Sequence, residues 1–318
     1  QCCLVGSEMC IRDSSSGLQS ILTQDDEIII SAMEHHSNIV PWQMLCEKTG
    51  ATMKVIPIKN DGTLDIDEYK SMLNPKVKFV FVNHVSNTLG TINPIELIIE
   101  LAHKNNSQVL IDGAQGAAHI KINLNELNVD YYVASAHKLC GPTGVGFLYG
   151  KSELLNSLPA YQGGGEMISN VTFEKTEYAD LPHKFEAGTP NIAGVIAFGV
   201  ALDYMNSIGF DNIENHEKEL LDYATENLKK IDGIKIYGDN NQKISVISFN
   251  IGDHHPSDIG SILDQFGIAV RTGQHCTQPI MDFYKIPGTV RASFSFYNTK
   301  SEIDLFIEAL IKASKMLG

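Results

Sequence analysis

Apolar and polar residues form blocks of two kinds along most of the chain. Short apolar runs, such as "EIIIS" (27–31) and "VKFVFVNHVS" (77–86), predict buried strands. Longer segments between them place apolar residues at helical spacing, as in "NPIELIIELAHKNN" (93–106), which opens with an asparagine cap before a proline. Because strands alternate with helices, the pattern predicts crossover connections and a mainly parallel sheet.

The same patterns divide the chain into two regions near Gly209. Before it, the predicted strands are 27–31, 52–58, 77–86, 107–115, 130–138 and 144–150, and the predicted helices are 38–50, 65–73, 93–106 and 191–209. After it come helices at 212–231, near 256–266 and at 300–316, with strands at 234–238, 244–251, 267–273 and near 289–296. We therefore predict a large α/β domain over residues 21–208 and a smaller α+β domain over residues 209–318.

The first twenty residues, "QCCLVGSEMCIRDSSSGLQS", differ from the rest of the chain. They show neither helical nor strand periodicity, and they lack the basic start and continuous apolar centre of a signal peptide. We interpret residues 1–20 as a segment that is not native to the chain. A native tail without regular structure is the alternative.

Composition and charge exclude several classes of function. The 318 residues are 43% hydrophobic and 19% charged, which is ordinary for a globular protein, and the net charge is −14. A chain this acidic is not expected to bind nucleic acid or an anionic membrane through its overall charge. No apolar run approaches the roughly 20 residues of a membrane span. The six cysteines show no CxxC spacing, so neither a metal site nor a disulfide framework is predicted, and we expect a cytoplasmic location.

Polar residues follow several of the predicted strands at the point where each strand ends. In open α/β sheets, ligands bind beyond the carboxyl ends of the strands, so these side chains should converge. They include an acid, a lysine, histidines and amides, a set that suits the ring nitrogen, phenolic oxygen, phosphate and aldehyde of pyridoxal 5′-phosphate. The residues are His35 and His36, Asn87, Asp112 and Gln115, and Ser135, His137 and Lys138.

Each residue has a role that its chemistry explains. Lys138 would form the Schiff base through its deprotonated amine, and Asp112 would keep the pyridine nitrogen protonated. The remaining predicted cofactor contacts are ring stacking by His35, a hydrogen bond to the phenolic oxygen from Gln115, and phosphate binding by Ser135 and His137. Taken singly, the acid could be a turn former, the histidines a polar pair and the glycines after Lys138 a turn. Their order and their common position at strand ends favour the cofactor.

Seven segments together resemble a known family. The chain is similar, from about Asp26 to its C-terminus, to the SUF-type (group II) cysteine desulfurases, also described as selenocysteine lyases. These belong to the class V aminotransferase group of pyridoxal-phosphate enzymes of fold type I. The segments are "MEHHSNIVPWQ", "HVSNTLGTINP", "IDGAQGAAH", "ASAHKLCGPTGVGFLYG", "FEAGTPNIAG", "VRTGQHCTQP" and "VRASFSFYNT".

The resemblance implies an activity and further site residues. The expected reaction converts L-cysteine to L-alanine, with sulfur held as a persulfide on Cys276 and passed to a SufE- or SufU-like acceptor for iron–sulfur cluster assembly. Selenocysteine lyase activity is also implied. Asn87 and Arg291 match residues that hold the substrate carboxylate, and Arg271 matches an arginine at the mouth of the site. Thr189 matches a residue that reaches the phosphate from the other subunit of a homodimer.

The surroundings of Cys276 in the sequence agree with that role. A reactive thiol is favoured by nearby positive charge, and Arg271 and His275 are expected to supply it. The segment "RTGQHCTQPIMDFY" is short, which suits the SUF type rather than the longer cysteine loop of the NIF/ISC type. Cys46 and Cys140 lack such a context and are interpreted as packing residues.

The sequence departs from the family at its beginning, and two other functions stay open. Family members carry a threonine-containing, "RGTTE"-like loop that opens a helix toward the phosphate, whereas "VGSEMCIRDSSSG" occupies that place here. We therefore predict that the chain is truncated at its N-terminus and binds the cofactor more weakly. The alternatives are another class V enzyme, such as an aminotransferase, kynureninase or epimerase, and an inactive protein that keeps the fold.

Overall fold

The computed structural model describes residues 7–318, which divide into two units. The first unit comprises the described part of Gln1–Ile56 together with Ile66–His84 and Pro94–Ile208. The second unit comprises Gly209–Gly318 and two short segments from earlier in the chain, Pro57–Asp65 and Val85–Asn93. Asn87 therefore belongs to the second unit, although it follows a strand of the first.

A six-stranded sheet forms the centre of the first unit within residues 7–318, in the order β2-β1-β3-β4-β5-β6. All neighbouring strands are parallel except β5 and β6, which are antiparallel. Strands β1, β3, β4 and β5 are buried almost throughout, as expected for strands of a parallel sheet covered on both faces. The strands are β1 (Glu27–Ser31), β2 (Thr52–Ile56), β3 (Val77–Asn83), β4 (Gln108–Asp112), β5 (Tyr131–Ser135) and β6 (Gly146–Gly150).

Helices connect these strands, and a separate hairpin follows them. The helices are α1 (Ser7–Leu18), α2 (Val40–Thr49), α3 (Ile66–Met72), α4 (Ile95–Lys104), α5 (Gly116–His119), α6 (Leu124–Leu127), α7 (Ser152–Ser157) and α8 (Ile192–Ile208). The hairpin pairs β7 (Ile168–Val171) with β8 (Thr176–Tyr178), and the sequence patterns did not predict it. Its strands are mostly exposed and lack the apolar runs on which strand prediction depends.

The N-terminal segment forms a helix, which corrects the prediction that residues 1–20 have no helical periodicity. In α1, buried side chains recur at helical spacing, and several of them are serines rather than apolar residues. Cys10, Ile11 and Leu18 join the apolar core of the first unit, beside Leu155 and Leu158. The helical period was hidden because polar letters occupy buried positions. Residues 1–6 lie outside the described part of the chain.

Trp42 anchors the core of the first unit. Its ring stacks on Phe81 with centroids 3.5 Å apart, and it is fully buried. Its indole Nε1–H donates to Asn38 Oδ1 at 2.8 Å. A buried tryptophan normally needs such a partner for its one polar atom. This hydrogen bond joins α2 to the turn that follows β1, which becomes important at the functional site.

The second unit packs four helices against a small sheet within the described residues. The sheet is antiparallel, in the order β11-β12-β10-β9, and its apolar face meets one buried core. The strands are β9 (Ile234–Tyr237), β10 (Val246–Ile251), β11 (Arg271–Gly273) and β12 (Thr289–Ser293). The helices are α9 (Phe210–Leu228), α10 (Pro256–Gln265), α11 (Gln278–Tyr284) and α12 (Lys300–Leu317).

Helix hydropathy gives one further finding. Within residues 7–318, no single helix is long and apolar enough to cross a membrane. The consecutive helices Ile192–Ile208 and Phe210–Leu228 pass that test only when they are counted together as a bent pair.

Gly113, directly after β4, offers a test of the close packing at the end of the sheet. A Cβ at this position would overlap the ring of Tyr132, which is almost fully buried and has no room to move. We expect Gly113→Ala to lower the free energy of unfolding by about 3 kcal/mol or more, because overpacking a rigid core forces backbone shifts. Urea unfolding measures the change.

Gly163→Ala is the matched control for this substitution. No heavy atom lies within 4 Å of a Cβ built at Gly163, so its stability should change by less than about 0.5 kcal/mol. Equal stabilities of the two variants would contradict the packing described for β4 and β5.

Candidate active site

The ends of β1, β4 and β5 bring the predicted cofactor residues to one edge of the sheet. Asp112 ends β4 and Ser135 ends β5, and Lys138 lies in a single 3₁₀ turn directly after β5. His35 caps a second such turn after β1, where its Nδ1 accepts from the Ser37 N–H at 3.2 Å. Parallel pairing places these strand ends side by side, with Asp112 opposite Asn83 of β3.

Asp112 is buried, with 6% of its surface exposed. Its Oδ1 accepts from the Ala114 N–H at 3.0 Å. Burial raises the pKa of the Asp112 carboxyl, whereas the positive charge of Lys138, the hydrogen bond from the Ala114 N–H and, to a lesser extent, His35 act in the opposite direction. An acid held in such a place favours a cationic partner, so it fits a protonated ring nitrogen.

His35 is half-buried beside these two groups. Burial lowers the pKa of its imidazole, and Lys138 acts in the same direction, while Asp112 and the exposed Glu8 oppose them. Its Nδ1 contacts the Ser37 hydroxyl at 2.8 Å, which fixes the direction of the ring. A neutral, oriented imidazole is suited to stacking on a flat aromatic ring, as the sequence predicted for His35.

The predicted phosphate residues have different surroundings. Ser135 is buried, and its hydroxyl accepts from the Ser7 N–H at 2.7 Å and contacts the Ser7 hydroxyl at 2.8 Å. The first turn of α1 therefore meets the residue predicted to bind phosphate. His137 is largely exposed, and the partial desolvation of its ring together with the charge of Lys138 lowers the pKa of its imidazole.

The other two predicted cofactor residues flank this group in the chain. Gln115 is half-buried at the start of α5. Thr189 is exposed in the segment before α8, and within the described residues no hydrogen bond joins it to the group. Its predicted contact with a second subunit stays a prediction.

Sequence reasoning missed Glu34, which is fully buried beside this site. Its Oε2 accepts from Asn38 Nδ2 at 2.6 Å, its Oε1 accepts from the Asn83 N–H at 2.9 Å, and it also contacts the Ser31 hydroxyl. Burial raises the pKa of the carboxyl to about 8, against these hydrogen bonds, and Asp112 adds to the rise. The signal in the sequence was that Glu34 is the first charged residue after β1.

A second group of predicted residues lies in the second unit, around Cys276. Arg271 Nη2 donates to Cys276 Sγ at 3.6 Å. Arg271 and Arg291 are paired across β11 and β12, so two guanidinium groups lie on neighbouring strands. Burial and, to a lesser extent, the charge of Arg271 lower the pKa of Arg291 to about 10, while Cys276 acts in the opposite direction.

His275 does not supply the positive charge that the sequence analysis assigned to it. The residue is only 2% exposed, and burial lowers the pKa of its imidazole to about 3, with Arg291 and Arg271 acting in the same direction. The ring is therefore neutral near pH 7. The prediction was wrong because residue type alone does not reveal desolvation.

A hydrogen bond joins the Arg291 side chain to the backbone of Asn87, and each of the two side chains also has one polar atom without a partner in the described residues. Arg291 Nη1 donates to the Asn87 carbonyl oxygen at 2.6 Å, and Asn87 Nδ2 donates to the His275 carbonyl oxygen at 2.8 Å. In the described part of the chain, Asn87 Oδ1 and Arg291 Nε are buried without a hydrogen-bond partner. Unpaired buried polar atoms are costly, so they indicate a ligand. The Arg291 N–H fits a carboxylate.

Comparisons with known proteins agree with this chemistry. The model of the family "Aminotransferase class-V" matches residues 13–306. A cysteine desulfurase of Cronobacter sakazakii is 48% identical over 300 residues, which cover 94% of this chain and 74% of that protein. A cysteine desulfurase of Escherichia coli K12 is 46% identical over 294 residues, which cover 92% of this chain and 72% of that protein.

Solved structures show the same fold. The cysteine desulfurase CsdA of Escherichia coli, in an S-sulfonic acid form, matches with a TM-score of 0.95 and 36% identity, over 98% of this chain and 78% of that one. An apo cysteine desulfurase of Thermococcus onnurineus matches with a TM-score of 0.95 and 34% identity, over the same shares of the two chains. The predicted α/β fold with a mainly parallel sheet is confirmed.

Glu34 gives a prediction for stability. Both of its oxygens accept from N–H donors whose directions are fixed, since Trp42 holds the Asn38 amide and the Asn83 N–H belongs to the backbone. A glutamine must turn its NH₂ group toward one of these donors. We expect Glu34→Gln to lower the free energy of unfolding by about 1–3 kcal/mol at pH 5.

The pH dependence separates the carboxyl from general packing. Because its pKa is raised on folding, the unfolded chain binds fewer protons than the folded chain between about pH 4.5 and 8, and wild-type stability falls as pH rises through that window. Glutamine does not titrate. Urea unfolding at pH 5 and pH 8 should show the difference between wild type and Glu34→Gln shrinking at pH 8. A constant or growing difference would contradict this account.

Proposed function

We propose a function for this chain from one premise: it belongs to the class-V aminotransferase family. Its function is that of a pyridoxal-phosphate-dependent cysteine desulfurase, which converts L-cysteine to L-alanine and keeps the sulfur as a persulfide on Cys276. One observation carries the proposal. The chain combines a group formed by the buried Asp112 with Lys138 and His35 and a thiol that contacts Arg271, and it is 48% identical to a cysteine desulfurase.

The residues of the first unit fit the cofactor. Asp112 would hold the ring nitrogen, His35 would lie against the ring face, and Gln115 would reach the phenolic oxygen. Ser135 and His137 would bind the phosphate, with the first turn of α1 beside Ser135. When bound there, pyridoxal phosphate supplies an electron sink for the bonds at the substrate Cα.

The reaction of the protein groups balances as a sulfur transfer. Lys138 moves a proton at the substrate Cα, and the charge of Asp112 is kept next to the ring nitrogen. Cys276 Sγ attacks the substrate sulfur, so an S–S bond forms as the Cβ–S bond of cysteine breaks. Cysteine and the thiol together give alanine and the persulfide, with no added oxidant or reductant.

The substrate contacts follow from the second unit. The buried Arg291 Nε–H, which lacks a partner in the described structure, would donate to the α-carboxylate. Asn87 would donate to it through the second N–H of Nδ2, whose first N–H is bound to the His275 carbonyl oxygen. Arg271, which is exposed, would lie at the mouth of the site and orient the thiol. L-selenocysteine is a second substrate in this proposal, since it has the same carboxylate and amine.

A homodimer is part of the proposal. In α8, large apolar side chains are exposed at intervals of one helical turn, and an exposed stripe of this kind indicates an interaction surface. Thr189, just before this helix, is exposed and would reach the phosphate of the second subunit. The stripe consists of Ile192, Ile196, Val200 and Tyr204.

The fate of the sulfur and the location of the protein complete the proposal. The persulfide passes to a SufE- or SufU-like acceptor and then to iron–sulfur cluster assembly, in the cytoplasm. The thiol beside the exposed Arg271 supports a handover to another protein, because that part of the turn is reached from solvent.

Two other functions are separated from this one by simple assays. Another class V enzyme would use Lys138 and Asp112 but would not need Cys276. An inactive protein with this fold would not bind the cofactor, so its solutions would lack visible absorption. Release of equal amounts of alanine and transferable sulfur from L-cysteine distinguishes the desulfurase from both.

Replacement of Lys138 tests the cofactor assignment. We expect Lys138→Ala to lose all turnover, because its amine is the group that lies beside Asp112. Borohydride should no longer fix the cofactor to the protein, as measured by absorbance after denaturation. Lys104→Ala, at an exposed lysine paired with Glu100, is the control and should keep full activity. Cofactor fixed to Lys138→Ala by borohydride would refute the role.

Replacement of Cys276 tests the sulfur step. We expect Cys276→Ser to bind the cofactor normally and to release alanine from L-cysteine at least about 100-fold more slowly, because a hydroxyl cannot capture the sulfur. Cleavage of selenocysteine should be less affected, since selenium leaves more easily. Cys140→Ser should match wild type, because Cys140 is exposed, which corrects its interpretation as a packing residue. Wild-type alanine release from Cys276→Ser would exclude the persulfide role.

A further inference from the structure

The backbone around Cys276 has an unusual conformation. His275 and Cys276 are consecutive non-glycine residues with positive φ angles, 54° and 59°, and Gly273 two residues earlier has a φ of 106°. Only a few per cent of non-glycine residues adopt this left-handed region, with asparagine, aspartate and histidine the most frequent, and each such residue costs free energy. Conformations of this kind persist only when the surrounding structure holds them, and they concentrate at functional sites.

Hydrogen bonds from the second unit hold this turn on both sides. The His275 carbonyl oxygen accepts from Asn87 Nδ2 at 2.8 Å. Thr277 donates to the Gln274 carbonyl oxygen through its N–H and through its hydroxyl, each at 2.9 Å. The Thr277 hydroxyl also contacts Thr88 at 2.6 Å. These bonds fix the backbone before and after the thiol.

The His275 side chain makes a contact that a glycine at this position could not make. Its Nε2 lies 2.8 Å from the Thr289 hydroxyl of β12, and both residues are almost completely buried. A glycine at this position would adopt the same φ angle without strain. A strained histidine with an anchored ring indicates that the ring itself holds the turn. The ring is neutral, so its contribution is geometric rather than electrostatic.

We propose that His275 is a positioning residue for the sulfur-accepting thiol: through its bond to Thr289 it holds the left-handed turn that keeps Cys276 Sγ beside Arg271. This role of His275 rests on the proposed function, in which Cys276 accepts the sulfur. The geometry that it describes can be tested without any turnover. His275 and Arg271 have different roles in this proposal: His275 holds the backbone, whereas Arg271 supplies the positively charged group that contacts the sulfur.

The test measures coupling between His275 and Arg271 through the reactivity of Cys276. The full-length chain is treated with iodoacetamide at pH 7, and the rate of labelling of the Cys276 peptide is followed by mass spectrometry. Labelling of the peptide with Cys140 serves as the internal reference. In wild type, Arg271→Gln should slow labelling by about two- to fivefold, the effect of one exposed charged contact.

The same Arg271→Gln change is then made in a chain that carries His275→Ala. If His275 positions the thiol, Arg271→Gln should have no further effect there, because the sulfur has left the guanidinium group. His275→Gln should restore the full effect, since the glutamine amide can reach Thr289. An Arg271 effect that is unchanged in His275→Ala, or absent in wild type, would overturn the proposal.

Thr289 provides an independent pair of variants if His275→Ala does not fold. Thr289→Val removes the hydroxyl and keeps the volume, whereas Thr289→Ser keeps the hydroxyl. The coupling to Arg271 should be lost in the first and retained in the second; equal coupling in both would refute the anchor. Since labelling requires neither cofactor nor substrate, an intact coupling in a chain without desulfurase activity would refute the proposed function alone.

Discussion

The burial of the Asp112 carboxyl next to Lys138 and His35 is the interaction on which the first unit depends. A buried acid without partners is strongly destabilising, so its neighbours must supply positive charge and hydrogen bonds. The Ala114 N–H of its own turn supplies a hydrogen bond and Lys138 after β5 supplies positive charge, while the neutral His35 after β1 lies beside them. The requirement explains why these residue types occur together, since each would be a poor choice at that place without the others.

The rest of this sheet edge keeps the group in position. The absence of a side chain at Gly113 lets the Tyr132 ring lie against the turn that follows Asp112. Glu34 ties the turn that carries His35 to β3, and the bond from Trp42 to Asn38 extends the same network into the apolar core. The turn that carries Cys276 in the second unit depends on a different constraint, the hydrogen bonds of His275 with Asn87 and Thr289.

The sequence predicted most of the strands and the longer helices because their apolar patterns are strong. β1 has the predicted bounds. The order of polar residues after the strands predicted Asp112 and Lys138 as parts of one cofactor site, whereas the role of Cys276 was implied by the family resemblance. The assignment of Pro57–Asp65 and Val85–Asn93 to the second unit was not predictable, because it depends on contacts between residues that are far apart in the sequence. The helix α1 was missed because serines occupy its buried face.

The errors at the site have a common physical origin. His275 was assigned a positive charge because histidine is often protonated near a thiol, yet burial keeps it neutral. Glu34 was not considered because a glutamate after a strand is usually exposed, and only the structure shows its burial. The exposure of a side chain to water depends on which segments pack together. Residue type and spacing therefore predict which residues form the site but not whether each of them is charged.

The most direct test of the central claim is the detection of sulfur on Cys276. The purified chain, loaded with pyridoxal phosphate, is incubated with L-cysteine, alkylated and digested, and its peptides are analysed by mass spectrometry while alanine is measured in the same sample. The account predicts one additional sulfur atom on the Cys276 peptide and an equal amount of alanine in the first turnover. Alanine without added sulfur on that peptide, or added sulfur on the peptides of Cys46 or Cys140 instead, would contradict it.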